Sequence, residues 1–218
     1  IYSERCSPVS FAGPKRVRNP GVKFSDLPTI DLVLISHNHY DHMDLQTLKR
    51  LSDKFQPLIL VGLGSKKLLS SRGIENVVEM DWGESKDVAN TQIFFLPSRH
   101  FSGRGLFDRM RTLWGSFLIL TQSKSIYFSG DTGYGSHFRD VKFKFGPMDL
   151  SFIPIGHYAP RWFMKDIHLN PKESLKAHMD LGSKKSVGIH FGTFQDLTDE
   201  AIDEPTRQLA QEVKNMGL

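Results

Sequence analysis

The chain has 218 residues, 39% apolar and 24% charged, which suits a soluble globular chain with one sizeable core, expected as a single domain over 1–218. Its net charge of +4 comes without any basic stripe interleaved with aromatics, so a nucleic-acid-binding face is not expected, and no apolar run reaches the length of a membrane span. A single cysteine, Cys6, excludes an intrachain disulfide and a thiolate-rich metal site.

Residues 1–28 read as irregular, punctuated by Pro8, Gly13-Pro14, Pro20-Gly21 and Pro28. A buried strand is expected over Asp31 to Ile35. Asp44 can cap a helix carrying Leu45, Leu48 and Leu51 at helical spacing, which Pro57 stops. Leu58 to Val61 reads as a buried strand, Ser65 to Ser71 as a short helix closed near Gly73, and Val77 to Met80 as a short strand. Further strands are expected at Gln92 to Leu96, at Leu150 to Ile155 and at Val187 to Ile189. Phe117 to Leu120 and Ile126 to Phe128 read as a hairpin pair. Asn170-Pro171-Lys172-Glu173 carries a strong helix start, with an Asn cap, Pro at the first position and Glu in the first turn. That helix should end near Gly182, and a last helix should span Ile202 to Met216. Alternating strands and helices imply a layered α/β domain. The chain opens on Ile1 with no signal peptide and closes just after a helix-like stretch, so both ends read as cut.

The residues that carry chemistry sit at the ends of these strands. His37-Asn38-His39-Tyr40-Asp41-His42 follows the first strand directly. Side chains at i and i+2 of an extended segment project to the same side, so His37 and His39 can share one ion. Once the chain turns, Asp41 and His42 can face a second. Imidazole and carboxylate are the donors zinc takes when thiolate is absent. Six positions cannot close two sites, and three later strands each deliver one more donor into a loop: His100 after Pro97-Ser98-Arg99, Asp131 after Gly130, and His190 before Phe191-Gly192. Singly, Asp131 could be a turn aspartate and His190 could simply end a strand. Their coincidence with the histidine run favours a metal site.

The H-x-H-x-D-H run resembles the pattern that pairs two zinc ions in the metallo-β-lactamase superfamily, whose fold is a four-layer αββα sandwich. The resemblance implies that His37, His39 and His100 hold one zinc and that Asp41, His42 and His190 hold the other. Asp131 would bridge them, with a water or hydroxide between the ions. Iron or manganese would also suit such N/O donors. Ile153-Pro154-Ile155-Gly156-His157-Tyr158-Ala159-Pro160-Arg161-Trp162-Phe163-Met164-Lys165, with His168, resembles the N-acyl-phosphatidylethanolamine-hydrolysing phospholipase D family and its bacterial relatives. So do Ser7-Pro8, Gly13-Pro14-Lys15-Arg16, Leu113-Trp114-Gly115-Ser116, Gly130-Asp131-Thr132-Gly133-Tyr134 and His190-Phe191-Gly192-Thr193-Phe194. His157, Ala159 and the stretch Phe101 to Arg111 depart from the animal members. Relative to the family the chain lacks the first N-terminal strands and a last C-terminal strand.

The resemblance implies a dizinc phosphodiesterase that cleaves N-acyl-phosphatidylethanolamine to N-acylethanolamine and phosphatidic acid. Asp41 and Asp131 would orient metals and nucleophile, and His168 would act close to the metals without ligating them. His178 reads as structural or surface, and His137 carries no assignment. Tyr158, Arg161 and Trp162 are candidate substrate contacts, with Arg161 for a phosphate and Trp162 for an acyl chain; alternatively Trp162 packs the loop and Arg161 is paired. The phospholipid substrate leaves open a cytoplasmic location, peripheral contact with a membrane surface, and a homodimer. An alternative keeps the metals and changes the bond: a lactonase, or another esterase or phosphodiesterase, on a soluble substrate. A non-catalytic scaffold would strand these polar groups without a metal to balance them.

Overall fold

The computed structural model describes residues 1–195 and 198–217. They fall into two units, one formed by Ile1–Trp82, Phe101–Trp114 and Thr193–Gln195, the other by Gly83–His100, Gly115–Gly192 and the C-terminal segment.

In the first unit, β1 (Leu32–Ile35), β2 (Leu58–Gly62) and β3 (Val77–Met80) form a parallel sheet in that order. Val33 pairs with Ile59, and Ile59 with Val77. Parallel neighbours need crossovers, supplied by α1 (Leu45–Phe55) and α2 (Lys66–Ser70). β2 runs down the middle, and its Leu-Ile-Leu-Val run is almost wholly buried, as a strand covered on both faces must be. Ile35, Met43, Leu48, Ile59, Val61, Leu69, Ile74 and Val77 form the core. The segment before β1 is irregular as expected, apart from one 3-10 turn at Phe24–Asp26 and single bridges from Arg5 to Lys15 and from Arg16 to Phe194.

α1 starts where its cap predicts. The Asp44 carboxylate accepts from Gln46 N–H at 3.2 Å, from Thr47 Oγ1 at 2.5 Å, and from Ser3 N–H and Oγ at 3.1 and 2.8 Å. Burial pushes this carboxyl up, but the bonds from Thr47 and Ser3 outweigh it and hold Asp44 below the usual carboxylate range. Asp44→Ala removes the cap and the anchor of the N-terminal segment together. The expected cost is about 2 kcal/mol in a denaturant titration, with Asp44→Asn losing less because it can still cap. At the other end Gln56 turns left-handed (φ 52°), and the ring of Pro57 keeps the helix from continuing.

The second unit holds a six-stranded sheet: β4 (Ser85–Val88), β5 (Thr91–Leu96), β6 (Ser116–Leu120), β7 (Ser125–Phe128), β8 (Leu150–Pro154) and β9 (Lys185–Ile189), adjacent in chain order. Pairing is antiparallel from β4 to β7 and parallel from β7 to β9. The expected hairpin is β6–β7, with Phe117 opposite Phe128 and Ile119 opposite Ile126. Its turn is closed by Thr121 Oγ1, which accepts from the N–H groups of Ser123 and Lys124. Four helices complete the unit: α3 (His137–Phe145), α4 (Arg161–Met164), α5 (Pro171–Leu181) and α6 (Glu204–Asn215). Leu96, Leu118, Tyr127, Phe138, Val141, Met148, Ile153, Leu169, Ala177 and Leu181 make its core. α5 has a full capping box: Asn170 accepts from Glu173 N–H at 2.8 Å and Glu173 accepts from Asn170 N–H at 3.2 Å. β4, α3 and α4 are additions to the elements expected from the sequence, and α6 starts two residues later than expected.

The pairing pattern has one consequence for chemistry. Because β5 and β7 are both antiparallel to β6, and β8 and β9 are parallel to β7, the C-terminal ends of β5, β7, β8 and β9 share one edge. His100, Asp131, His157 and His190 all follow those ends. No described helix is long and apolar enough to cross a membrane.

Candidate metal centre

In the first unit the chain turns as soon as β1 ends. The N–H groups of His42 and Met43 both donate to His39 O, at 3.1 and 2.8 Å, and Met43 is fully buried beneath the turn. This folds His37, His39 and His42 onto one another. His37 Nε2 lies 2.9 Å from His39 Nδ1, and the His37 and His42 rings are 4.2 Å apart. Asp41 Oδ2 stands 3.4 Å from His42 Nε2. Ser36 Oγ reaches His37 Nδ1 at 3.0 Å, which orients that ring through its other nitrogen.

The residues between the histidines hold the loop in place. Asn38 is buried; its Oδ1 accepts from Gly103 N–H at 2.7 Å. Arg104 Nη1 donates to Asn38 O and Met43 O, both at 2.8 Å. Tyr40 hydroxyl donates to Arg104 O at 2.8 Å while the guanidinium lies 3.9 Å over its ring. Sequence reasoning missed Asn38 and Arg104, and no local pattern links two residues 66 positions apart.

In the second unit three donors converge. Asp131 is 3% exposed; its Oδ2 stands 3.2 Å from His190 Nε2 and 3.7 Å from His100 Nε2. His100 Nδ1 meets Ile167 O at 3.0 Å, which leaves Nε2 pointed at the carboxylate. Ser98 Oγ donates to Asp131 O, Arg99 N–H to Thr132 Oγ1, and Gly133 N–H to Arg99 O, so the His100 and Asp131 loops are stitched together. A Cβ on Gly133 would collide with the Asp166 backbone, so only glycine lets the loop approach the 165–168 segment.

That segment delivers His168, whose ring stacks on His190 at 5.5 Å and stands 5.1 Å from that of His100. His100, Asp131 and His168 are all buried, with ligand atoms within 4.8 Å of one another, a group able to hold a metal ion. Burial pushes the His168 imidazole well below its ordinary value; Asp131 opposes the shift, and His190, His100 and His157 add to it. Its Nδ1 is buried with no hydrogen-bond partner among the described residues. A neutral imidazole with such an atom suits a cation or a transferred proton better than a purely structural post.

His157 sits edge-on to His190 at 4.5 Å in a left-handed conformation (φ 63°). Its loop is held by Glu200, a buried carboxylate that accepts from Tyr158 N–H and Ala159 N–H at 3.0 and 3.1 Å. The sequence carried no sign of that clamp.

The three candidate substrate contacts part company. Tyr158 is buried, its hydroxyl 3.4 Å from Glu204, and burial together with Glu204 and Glu200 pushes that hydroxyl up. Arg161 donates to Glu173 at 2.8 Å and to His168 O at 3.0 Å, so its charge is matched inside the fold. Trp162 stands out at 87% exposure.

His137, unassigned in the sequence, lies 3.2 Å from Thr132 Oγ1; burial, then the charge of Arg99, lowers it to about 4. Its folded value lies below the ordinary one near 6.5, so the unfolded chain takes up the proton first. Stability should be full above about pH 6.5 and fall by roughly 2–3 kcal/mol as pH drops towards 4. His137→Gln should flatten that limb in denaturant titrations across this range.

The chain matches the β-lactamase superfamily domain over residues 6–191. It is 40% identical over 97% of its length to N-acyl-phosphatidylethanolamine-hydrolyzing phospholipase D 1 of Caenorhabditis elegans, and covers 62% of that protein. It is 41% identical over 96% of its length to an uncharacterized protein of Mycobacterium tuberculosis, of which it covers 56%. The chain thus spans about three-fifths of the length of these relatives. In three dimensions it is similar to the isothiocyanate hydrolase from Delia radicum gut bacteria, with a TM-score of 0.75, 18% identity and coverage of 100% of this chain and 84% of that one. The chain belongs to the β-lactamase superfamily, has the metallo-β-lactamase fold, and is related in sequence to the N-acyl-phosphatidylethanolamine-hydrolysing phospholipases D.

Proposed function

We propose that this chain carries the catalytic centre of a dizinc phosphodiesterase of phospholipase D type, cleaving N-acyl-phosphatidylethanolamine to N-acylethanolamine and phosphatidic acid. One observation carries the reading: Asp131, a buried carboxylate, gathers His100 and His190 at strand ends, in a chain whose other unit folds His37, His39 and His42 together. Buried imidazoles and carboxylates without thiolate are the donor set of a catalytic zinc site.

In this proposal both units belong to one catalytic domain. His37, His39 and His100 would hold one ion and Asp41, His42 and His190 the other, with Asp131 serving both. Two ions so held would lower the pKa of a water and neutralise charge growing on the phosphoryl oxygens. Asp41 and Asp131 orient the nucleophile. As water adds to phosphorus, the bond to the ethanolamine oxygen breaks. His168 Nδ1, kept neutral by burial, takes a proton from the water side and returns it to the leaving oxygen. Of Tyr158, Arg161 and Trp162, the exposure of Trp162 suits it best to an acyl chain, with Arg161 and Tyr158 shaping the loop. The enzyme works on phospholipid from the cytoplasmic side or peripherally at a membrane surface, a setting compatible with a homodimer.

A soluble anionic substrate, such as a phosphorylated lactone, is the second reading. A cavity of about 860 Å³ in the first unit favours it: beside Asn38 and Tyr40, Arg5, Lys67, Arg72 and Arg104 line it against Glu4, Asp44 and Asp108, of which Asp44 and Asp108 are engaged in hydrogen bonds of the fold. Mass spectrometry of products after incubation of the zinc-loaded full-length protein with N-acyl-phosphatidylethanolamine separates the two. Phosphatidic acid and N-acylethanolamine, absent with His39→Ala, support the first reading. Two bound metals without turnover would move the substrate to the second.

A further inference from the structure

The stretch Phe101 to Arg111 forms a built loop with an apolar tip. Leu106 is 92% exposed, Phe107 87% and Met110 57%. Such exposure at two adjacent large side chains does not arise here from a loose loop. The Asp108 carboxylate accepts from the N–H groups of Arg104 and Gly105 at 2.8–3.1 Å, Arg111 N–H donates to Asp108 O at 3.1 Å, and Met110 N–H donates to Ser102 O at 2.9 Å. These bonds close a tight turn and hold Leu106 and Phe107 outward at its apex.

The surroundings of the tip are cationic. Arg109 and Arg111 are exposed on the descending side, and the Arg109 guanidinium lies 4.2 Å over the Phe101 ring. Asp108 is the only carboxylate between Phe101 and Trp114, and it is engaged by the turn. An apolar apex over a basic collar fits the interface of an anionic bilayer, with Leu and Phe among the upper acyl chains and guanidinium groups at the headgroups. An acidic protein partner would find charge complementarity as well, but it would have to supply a pocket for two protruding side chains, whereas lipid supplies that environment everywhere.

We propose that the loop Gly103–Arg111 is a lipid-docking element that seats this chain on an anionic phospholipid surface through Leu106 and Phe107, with Arg109 and Arg111 gripping headgroup phosphates. The proposal deepens the phospholipid reading above and rests on it for its purpose. Its root is the same Arg104 that ties the histidine loop, so docking fixes the metal ligands of the first unit relative to the bilayer.

The test uses zinc-loaded full-length protein, co-sedimented with vesicles of phosphatidylcholine alone or mixed with phosphatidylserine. The paired change Leu106→Asp and Phe107→Asp should lower partitioning onto mixed vesicles by roughly ten- to a hundredfold. Arg109→Gln with Arg111→Gln should cost about tenfold on mixed vesicles and little on phosphatidylcholine alone. Turnover of bis(p-nitrophenyl) phosphate, a soluble phosphodiester, should stay unchanged in both variants. Loss of docking in the variants, with no phosphodiester turned over even by the unaltered protein, would leave the loop assignment standing and remove the phosphodiesterase. Equal vesicle binding by all three proteins would overturn the loop assignment whatever the turnover. Absence of vesicle binding, with a dimer in sedimentation velocity that Leu106→Asp and Phe107→Asp disperses, would overturn it in favour of a second copy of the chain.

Discussion

Asp131→Asn is expected to strip bound metal and to lower phosphodiester turnover by at least about a thousandfold, equivalent to about 4 kcal/mol of transition-state stabilisation. Asp131 sits 3% exposed between the Nε2 atoms of His190 and His100. The amide keeps the volume and removes the charge, and a neutral amide is a poor ligand for two cations. Metal-free stability should move little or even rise, because a buried carboxylate is costly to desolvate. Adding zinc should therefore raise the melting temperature of the unaltered protein and hardly that of the variant. Metal content by plasma mass spectrometry, melting with and without zinc, and turnover together decide the matter. Near-full turnover with two metals retained would remove Asp131 from the centre of the site.

The candidate donors were legible in the sequence because their signals are local. His100, Asp131 and His190 each follow an apolar run, and the pairing of β5, β7, β8 and β9 brings those three run-ends to one edge of the second unit, while the histidine run follows β1 in the first. The helix start at Asn170 was legible for the same reason, its cap, proline and Glu173 lying within four positions. α3 was not. Its Val141-Lys142-Phe143-Lys144-Phe145 alternates like a strand, and only Phe138, Val141 and Phe145 carry the helical face, while Phe143 is 95% exposed. β4 escaped because Ser-Lys-Asp-Val is polar and its place comes from backbone pairing with β5 at the sheet's edge. Of the two readings the sequence left open for Arg161, phosphate contact or pairing within the fold, the partner Glu173 lies 12 positions on and could not be seen beforehand.

No sequence pattern disclosed Arg104, and Arg104→Ala is expected to destabilise the first unit by about 3 kcal/mol. Its Nη1 serves two carbonyls that bracket the histidine loop, Asn38 O before it turns and Met43 O after. Hydrogen bonds from a charged donor contribute more than neutral ones, and removing the donor leaves two carbonyls without it in a partly buried place. The stacked Tyr40 ring loses its cation as well. With the loop released, the proposed ligands His37, His39, Asp41 and His42 would have to be ordered by the metal itself. Zinc affinity should therefore fall by about 10–100-fold, with turnover at saturating zinc falling much less. Arg104→Lys keeps the charge but lacks the planar fork, and should recover stability only in part. A competition titration against a chelator, run beside a denaturant titration, reads both effects. If Arg104→Ala left zinc affinity intact while lowering stability, the guanidinium would be a fold brace with no hold on the ligands. The two carbonyls flank the turn that sets the histidines, so the two losses should come together.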